Sequence, residues 1–414
     1  MQSTIALRIA LAAGTVLTAA ALLAAAHATS LETASAARAA APPGLREVAP
    51  GDCGFSRRPV SGDRRGTSAA APNPLARETW YVDTRVDRFG YREPAYRDYV
   101  RSAQSGRRDI SAQLAKIALT PRFKWFGKFS KDPKRRVCAF IADAEAAGAV
   151  PLVATLRHQG KQCNSRYTAG GVREDNASKR WYRRFAEGIG NSRVVIAFEP
   201  DSVGTVECLA RSRRKARLDL LRYGVDVLSK LPNATIYIEA TASDWKSPKV
   251  VVRRLRHIGI HKVRGFMLNV THYDWTTSNI RYGRRISRKV GNKPFVISTA
   301  MNGRGPVHYR RRLGRHGYRR INVFCHPLYR GAGPFPTTAT ADPLVDAYLW
   351  INRPGYSGGS CNGGPTPVGK WWRERALMLA RYQSQQLGPP PGSRFGFSDR
   401  RLTIRQVAGD QYKR

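Results

Sequence analysis

The most informative stretch of the chain is Arg193-Val194-Val195-Ile196-Ala197-Phe198-Glu199-Pro200-Asp201-Ser202. Its apolar, largely β-branched run is typical of a strand that is buried on both faces. Two carboxylates, Glu199 and Asp201, follow where this strand ends. In α/β barrels the carboxyl ends of the strands meet on one face, and that face carries the chemistry. The stretch therefore predicts both a buried parallel strand and a candidate site.

Apolar runs of the same kind recur along the chain and alternate with segments of helical periodicity. The predicted strands are Val150–Leu156, Val194–Phe198, Thr235–Ile238, Val263–Val270, Phe295–Ile297, Asn322–Phe324 and Leu344–Ile351. The predicted helices are Ser178–Ile189, Ser212–Leu231, Pro248–Ile258 and Lys370–Gln385, with Ser178 and Ser247 at N-cap positions. Repeated strand–helix units indicate a parallel sheet, either a barrel or a doubly wound sheet. Neither GxGxxG nor GxxxxGK[ST] follows the early strands, which favours the barrel.

The chain is strongly basic. It has 414 residues, with 71 Lys and Arg against 29 Asp and Glu, and a formal net charge of +42. This charge indicates either an anionic partner or a solvated basic surface. The sequence contains no homeodomain, zinc-finger or RNP pattern, so we expect no specific nucleic-acid partner. High net charge disfavours self-association, so we expect a monomer.

Composition divides the chain into four parts. Residues 1–28 contain one Arg, an apolar run and the triplet Ala26-His27-Ala28, which together predict a secretory signal peptide. An uncleaved anchor is the alternative. Residues 29–72 are rich in Ala, Pro, Gly, Ser and Arg and are predicted to be a linker or arm. Residues 73–390 form the predicted folded domain, and 391–414 a basic tail. We expect a secreted protein, extracellular or cell-wall associated, with no membrane segment after signal cleavage.

Polar residues end several predicted strands: Asp201, Glu239, Asn269 and Ser298. Asp201 suits a general acid if burial and neighbouring carboxylates raise its pKa. The alternative is an Asp that caps the following helix. The histidines match no zinc spacing, and six cysteines in an exported chain favour disulfides, so we expect neither a metal nor a cofactor.

Several motifs in register resemble those of family 6 glycoside hydrolases, the secreted cellulases. They are Phe198–Ser202, Arg264–Val270, Asn302–Gly305 and Asp346–Trp350, and the resemblance extends over about residues 73 to 385. It implies a distorted, partly open α/β barrel, similar to a TIM barrel, with about seven parallel strands and a substrate groove at their carboxyl ends. It also implies inverting hydrolysis of a β-linked glucan or related polysaccharide, with Asp201 as the general acid.

The resemblance implies site residues and disulfides as well. Glu239 matches a further catalytic carboxylate, and the expected disulfides are Cys163–Cys208 and Cys325–Cys361. Cys53 and Cys138 are left to form a third bridge or to stay free. The expected substrate-binding residues are Trp80, Trp245, Asn269, Asp274, Arg353 and Tyr356. Tryptophan faces at such positions stack on sugar rings.

Three family carboxylates are missing from this chain. Gln162 stands where the family has an Asp before the cysteine that matches Cys163, and the loop Pro354–Gly359 lacks both of its usual acidic residues. One hypothesis is a hydrolase with a relocated base: Asp274, Glu239, Asp244 or a water held by Ser357. A second is a barrel that binds glycan without cleaving it, and a third is a basic structural protein that adheres to anionic wall polymer. We also hypothesise that an acidic glycan binds better than plain cellulose.

Overall fold

Seven parallel strands form one sheet whose spatial order follows the order of the chain. The computed structural model describes residues 65–87, 89–157, 172–312 and 318–391. The strands of this sheet are β1 (Lys124–Gly127), β2 (Leu152–Leu156), β3 (Val194–Phe198), β4 (Ala234–Glu239), β5 (Gly265–Leu268), β6 (Phe295–Ser298) and β9 (Val345–Leu349). Strands β7 (His308–Arg312) and β8 (Tyr318–Asn322) pair with each other as an antiparallel hairpin.

Helices connect the strands, as expected for a parallel sheet. They are α1 (Pro94–Gln104), α2 (Arg108–Ala118), α3 (Pro133–Ala146), α4 (Val172–Ile189), α5 (Arg211–Leu228), α6 (Pro248–Ile258), α7 (Thr276–Ser287) and α8 (Arg373–Arg381). Three of them begin with proline, whose missing N–H costs nothing at this position. Glu93 caps α1 by accepting a hydrogen bond from the Tyr96 N–H at 3.0 Å. Gly259 ends α6 in the left-handed conformation, at φ 102°.

The sheet is buried on both faces, and β3 shows how. Val194, Ile196 and Phe198 pack into the apolar layer beneath the helices. Val195 and Ala197 alternate with them and join a second apolar cluster that also contains Tyr237 of β4. This second cluster fills the interior of the barrel with residues from most of the strands. Burial of both faces explains why the sequence of β3 is continuously apolar instead of alternating.

The two edge strands of the sheet meet at a seam. The Phe123 N–H donates to the Trp350 carbonyl at 3.2 Å, and the Trp125 indole donates to the Ile351 carbonyl at 2.8 Å. Within the described ranges no β-ladder joins β1 to β9. The barrel is therefore partly open, and the predicted fold class is confirmed.

A buried ion pair closes the amino-terminal end of the barrel. Arg264, just before β5, donates two hydrogen bonds of 2.9 Å to Asp346 of β9, and both side chains are almost fully buried. The Tyr237 hydroxyl donates to the same carboxylate at 2.7 Å. Arg264 also donates to the carbonyls of Gly66 and Ala71, at 2.9 and 3.0 Å. Residues 65–72, predicted as the end of a linker, therefore contribute hydrogen-bond acceptors to the packed structure.

Three details of the predicted elements are wrong. The run Asn322–Phe324 is not a barrel strand, because Asn322 ends the hairpin strand β8. The first barrel strand is instead Lys124–Gly127, whose four residues include a lysine and carry too short a pattern to stand out. Ser178 is not an N-cap: it lies inside α4, and its hydroxyl donates to the Glu174 carbonyl at 2.9 Å. Ser247 does occupy the N-cap position of α6, although its side chain makes no capping hydrogen bond there.

Among the described residues, no helix is both long enough and apolar enough to cross a membrane. The predicted signal peptide, residues 1–28, lies outside the described ranges. The predicted tail from residue 391 also lies outside them, apart from its first residue.

We expect the substitution Asp346→Ala to lower the free energy of unfolding by about 3–5 kcal/mol, because it leaves the buried Arg264 charge without its partner. Urea denaturation followed by circular dichroism measures the change. Glu187→Ala is the control, because it breaks the exposed Lys134–Glu187 pair, whose atoms are 3.4 Å apart. That loss should stay below about 1 kcal/mol. Equal losses for the two variants would contradict the role of the buried pair.

Candidate active site

Backbone strain is concentrated where three neighbouring strands end. Glu199 and Asp201 after β3, Thr241 after β4 and Asn269 after β5 all adopt positive φ, between 55° and 68°. Such conformations are costly for residues other than glycine and persist mainly at functional sites. The carboxyl edge of the barrel is therefore the candidate site.

Asp201 lies on the loop that leaves β3. Its Oδ1 accepts a hydrogen bond from the Thr271 hydroxyl at 2.6 Å, and its Oδ2 has no hydrogen-bond partner among the described residues. Burial raises the pKa of Asp201, although the Thr271 hydrogen bond and the nearby His272 oppose the rise. The alternative that Asp201 caps the next helix is wrong, because Ala210 is the N-cap residue of α5.

Glu239 ends β4 and holds the loop that carries Asp201. Its carboxyl group accepts backbone hydrogen bonds from Val203 and Thr241, both at 2.6 Å, and from Gly204 at 3.3 Å. Burial and the charge of Asp201 raise the pKa of Glu239 to about 8, although the three N–H donors oppose the rise. Glu239 thus fixes the position of Asp201 and lies close enough to interact with it electrostatically.

Asp244 is hydrogen-bonded to His272. Asp244 Oδ1 lies 2.7 Å from His272 Nδ1, and its Oδ2 accepts from the Asn322 amide at 2.7 Å. Burial opposes ionisation of Asp244, but the charge and hydrogen bond of His272 outweigh it and lower the pKa. The Trp245 ring stacks on His272, with 4.8 Å between centroids and 23° between planes. This part of the site therefore holds an ionised carboxylate beside stacked rings.

Asp274 and Asn269 connect the ends of β5 and β6. Asp274 accepts hydrogen bonds from the Ser243 hydroxyl at 2.5 Å and from the Trp275 N–H at 2.8 Å. Burial and the charge of Asp244 raise the pKa of Asp274. The Asn269 amide donates to the carbonyls of Asp274 and Ser298, both at 3.1 Å. Both side chains are thus bound within the protein.

The loop after β9 contains Arg353 and the positions from which family carboxylates are missing. The Tyr356 hydroxyl donates to Glu93, which ties this loop to the start of α1. Ser357 is buried, and its hydroxyl donates to the Gly359 carbonyl at 3.2 Å. The Gly358 N–H donates to His326 at 2.7 Å. No carboxylate of this loop faces the site, because the loop contains none.

The predicted disulfide Cys325–Cys361 is confirmed, and it ties this loop to the chain that follows the hairpin. Cys138 and Cys208 are each disulfide-bonded, so Cys138 is not free. Cys163, the predicted partner of Cys208, lies outside the described residues. Cys325, His326 and Cys361 are close together, but neither sulfur is a thiolate that can bind a metal ion.

Most of the predicted site residues lie together, but Trp80 lies apart from them. Asp201, Glu239, Asn269, Asp274 and Trp245 lie at or after the carboxyl ends of strands β3 to β5. The half-buried Trp80 pairs its backbone with Val150, before β2 begins, and no described contact connects it to Asp201. Thr271, the partner of Asp201, was missed by the sequence analysis. No local signal marks a partner that is 70 residues away.

Carboxyl groups with raised pKa values near one whose pKa is lowered, at the carboxyl edge of a parallel barrel, are an arrangement that glycoside hydrolases use. Comparison with known families supports this class. Residues 85–383 match the family model described as "Glycosyl hydrolases family 6". The chain belongs to this family, as its motifs predicted.

Individual proteins are also similar to this chain in sequence and structure. The chain is 34% identical over 294 residues to Endoglucanase A of Cellulomonas fimi; the match covers 70% of this chain and 60% of that protein's length. It is 29% identical to Endoglucanase 1 of Streptomyces halstedii, with 67% and 84% covered. Among solved structures, Cel6 of Mycobacterium tuberculosis, an endoglucanase bound to methyl-cellobiosyl-4-deoxy-4-thio-β-D-cellobioside, is 33% identical with a TM-score of 0.64. That match covers 75% of this chain and 99% of that one.

We expect Glu239 to make stability depend on pH. The folded protein retains the Glu239 proton up to a pKa of about 8, whereas the unfolded chain loses it near 4.5. Its stabilising effect is therefore complete below pH 4.5 and is lost as the pH rises towards 8, by up to about 1.4 kcal/mol per pH unit. Urea denaturation at pH 5, 6.5 and 8 measures this slope. Glu239→Gln should make the slope smaller, whereas the exposed Glu187→Gln should leave it unchanged. Parallel curves for wild type and Glu239→Gln would contradict the assignment.

Proposed function

We propose that the protein hydrolyses β-1,4-linked glucans with inversion at the anomeric carbon and that Asp201 is the general acid. The observation that carries this proposal is the carboxyl group of Asp201, whose pKa is raised by burial and whose Oδ2 has no hydrogen-bond partner among the described residues. The names of the relatives as endoglucanases support the substrate class. The signal-like sequence of residues 1–28 supports export of the protein.

The Thr271 hydroxyl determines which oxygen of Asp201 carries the proton. It donates to Oδ1, so the proton of the neutral acid is placed on Oδ2. That oxygen would protonate the glycosidic oxygen while a water attacks the opposite face of the sugar ring. The glycosidic bond breaks, the leaving sugar takes the Asp201 proton, and a base accepts a proton from the water. Glu239 supports this step by holding the loop that carries Asp201.

We assign the task of the base to the Asp244–His272 pair. The loop Pro354–Gly359 supplies no carboxylate, and the Ser357 hydroxyl is bonded to Gly359. The pKa values of Glu239 and Asp274 are raised, which favours their neutral forms. The pKa of Asp244 is lowered, which keeps this carboxylate ionised and able to attract the proton that the water loses. His272 Nδ1 lies 2.7 Å from Asp244 Oδ1, so the water would give its proton to the other ring nitrogen, Nε2, while Nδ1 stays hydrogen-bonded to Asp244.

A second candidate function is binding without cleavage. The observation that favours it is the loop after β9, in which Gly358 carries no side chain and the Tyr356 hydroxyl is bound to Glu93. Loss of a base typically costs about 10²–10⁴ in rate but leaves the groove intact. The two functions differ in one result, which is whether the wild-type protein releases new reducing ends from a glucan that it binds.

We expect Asp201→Asn to lower kcat on cello-oligosaccharides by about 10²–10⁴, because the leaving oxygen is no longer protonated. The loss should be much smaller for 2,4-dinitrophenyl cellobioside, whose leaving group needs no proton. Reducing-end and dinitrophenol assays measure the two rates. Asp226→Asn is the control, because it changes an exposed Asp paired with Lys262. If neither wild type nor Asp201→Asn cleaves while both bind the same oligosaccharide, the protein is a binding module.

We expect Asp244→Asn to lower kcat for both substrates equally, by about 10²–10⁴, because every leaving group requires an activated water. Added azide should restore cleavage by replacing the water and should give a glycosyl azide of inverted configuration, which NMR detects. The control is Asp219→Asn, which changes a comparable Asp–His pair, Asp219–His257 at 2.7 Å, between the outer helices α5 and α6. Full activity of Asp244→Asn would exclude the pair as the base.

A further inference from the structure

Within the described part of the chain, Arg353 is a cation without an anionic partner. Its side chain is half-buried, and no described carboxylate lies within ion-pair distance of its guanidinium group. Burial lowers the pKa of Arg353, and the nearby Tyr91 and Glu93 offset this only in part. Arginine remains charged despite such a shift. A charge taken out of water without a partner is costly, so this position is suited to a partner that arrives from outside.

The neighbouring carboxylates are already paired with other residues. Glu93 forms an ion pair with Arg122 and accepts the Tyr356 hydroxyl. Asp83 pairs with Lys124 at 2.7 Å. Asp98 accepts the Trp371 indole N–H at 3.0 Å and lies 3.5 Å from Arg373. These side chains are therefore not available to Arg353.

The guanidinium group of Arg353 is held by flat surfaces. It lies 4.4 Å from the centre of the Tyr356 ring and 5.9 Å from the centre of the Trp125 ring. Gly369 lies close to the guanidinium: a Cβ there would be 3.2 Å from Arg353 Nη2. The aromatic rings thus restrain the guanidinium, and no described residue accepts a hydrogen bond from its N–H groups. A carboxylate or another oxyanion matches that geometry.

Arg353 also lies at the carboxyl end of the barrel, where the candidate site is. It follows β9 by a few residues, beside the seam with β1 and on the carboxyl side where Asp201 lies. We propose that Arg353 forms a subsite for an anionic substituent, so that the groove prefers a β-linked glucan with acidic groups to neutral cellulose. This inference rests on the proposed glucan-binding function. The overall charge of +42 supports the attraction of such a polymer to the protein.

Binding of matched oligosaccharides tests this subsite. Isothermal titration of the Asp201→Asn protein compares cellotetraose with a cellotetraose oxidised to the carboxylate at C6, in 150 mM and 500 mM salt. We expect the oxidised sugar to bind about tenfold more tightly or better, which is the range of a hydrogen bond to a charged group. A cellotetraose 6-sulfate in parallel shows whether the subsite accepts carboxylates alone or oxyanions in general.

Two variants separate the subsite from general charge. In the Asp201→Asn background, Arg353→Gln should abolish the preference and leave the affinity for neutral cellotetraose within about threefold, which also reports that the protein is folded. Arg136→Gln, on the outer helix α3, removes another cation that lies over an aromatic ring, 3.9 Å from the centre of the Phe89 ring, and should keep the preference. Equal affinities for the two sugars, or a preference that survives Arg353→Gln, would overturn the inference.

The outcome is independent of catalysis. If wild type cleaves glucans but the Asp201→Asn protein shows no preference for the acidic sugar, only the subsite is wrong. If wild type does not cleave, but the Asp201→Asn protein shows the preference and Arg353→Gln removes it, the subsite stands and the proposed hydrolysis fails.

Discussion

The buried ion pair between Arg264 and Asp346 fixes the amino-terminal end of the barrel. It joins β5 to β9 across the interior, and through the carbonyls of Gly66 and Ala71 it also holds the chain that precedes the domain. Neither charge can be left alone, because an isolated charge in a protein interior is strongly destabilising. The pair therefore stabilises the amino-terminal end of the barrel, opposite the end at which the site lies.

The opposite, carboxyl end of the barrel contains strained backbone, which the rest of the structure must stabilise. Left-handed backbone at Glu199, Asp201, Thr241 and Asn269 costs on the order of 1–3 kcal/mol at each residue. The two apolar clusters on either face of the sheet supply the compensating stability. Glu239 adds local support, because one carboxyl group accepts three backbone N–H groups from the strained loops. Strain and carboxylates thus occupy the same edge, as in other barrels whose stability and chemistry lie at opposite ends.

The sequence predicted the fold where burial leaves a strong pattern. Strand β3 is apolar on both faces and was located to the residue, whereas β1 was missed because four residues carry too little periodicity. Asp201 was identified because its motif is local. Its partner Thr271 and the pairing of Asp244 with His272 depend on how distant loops meet, and no spacing along the chain encodes that. Likewise, the sequence showed that the loop after β9 lacks carboxylates, but not that Tyr356 is bound to Glu93.

The order of the strands has a consequence for how the domain assembles. Because each strand from β1 to β6 pairs with the next one along the chain, every addition closes only a short loop and costs little chain entropy. The contact between Trp125 and Ile351 is different, since it joins residues 226 positions apart. Contacts of such long range form late, after the local ones have shortened the effective loop. We therefore expect the seam to form last when the barrel folds and to separate first when it unfolds.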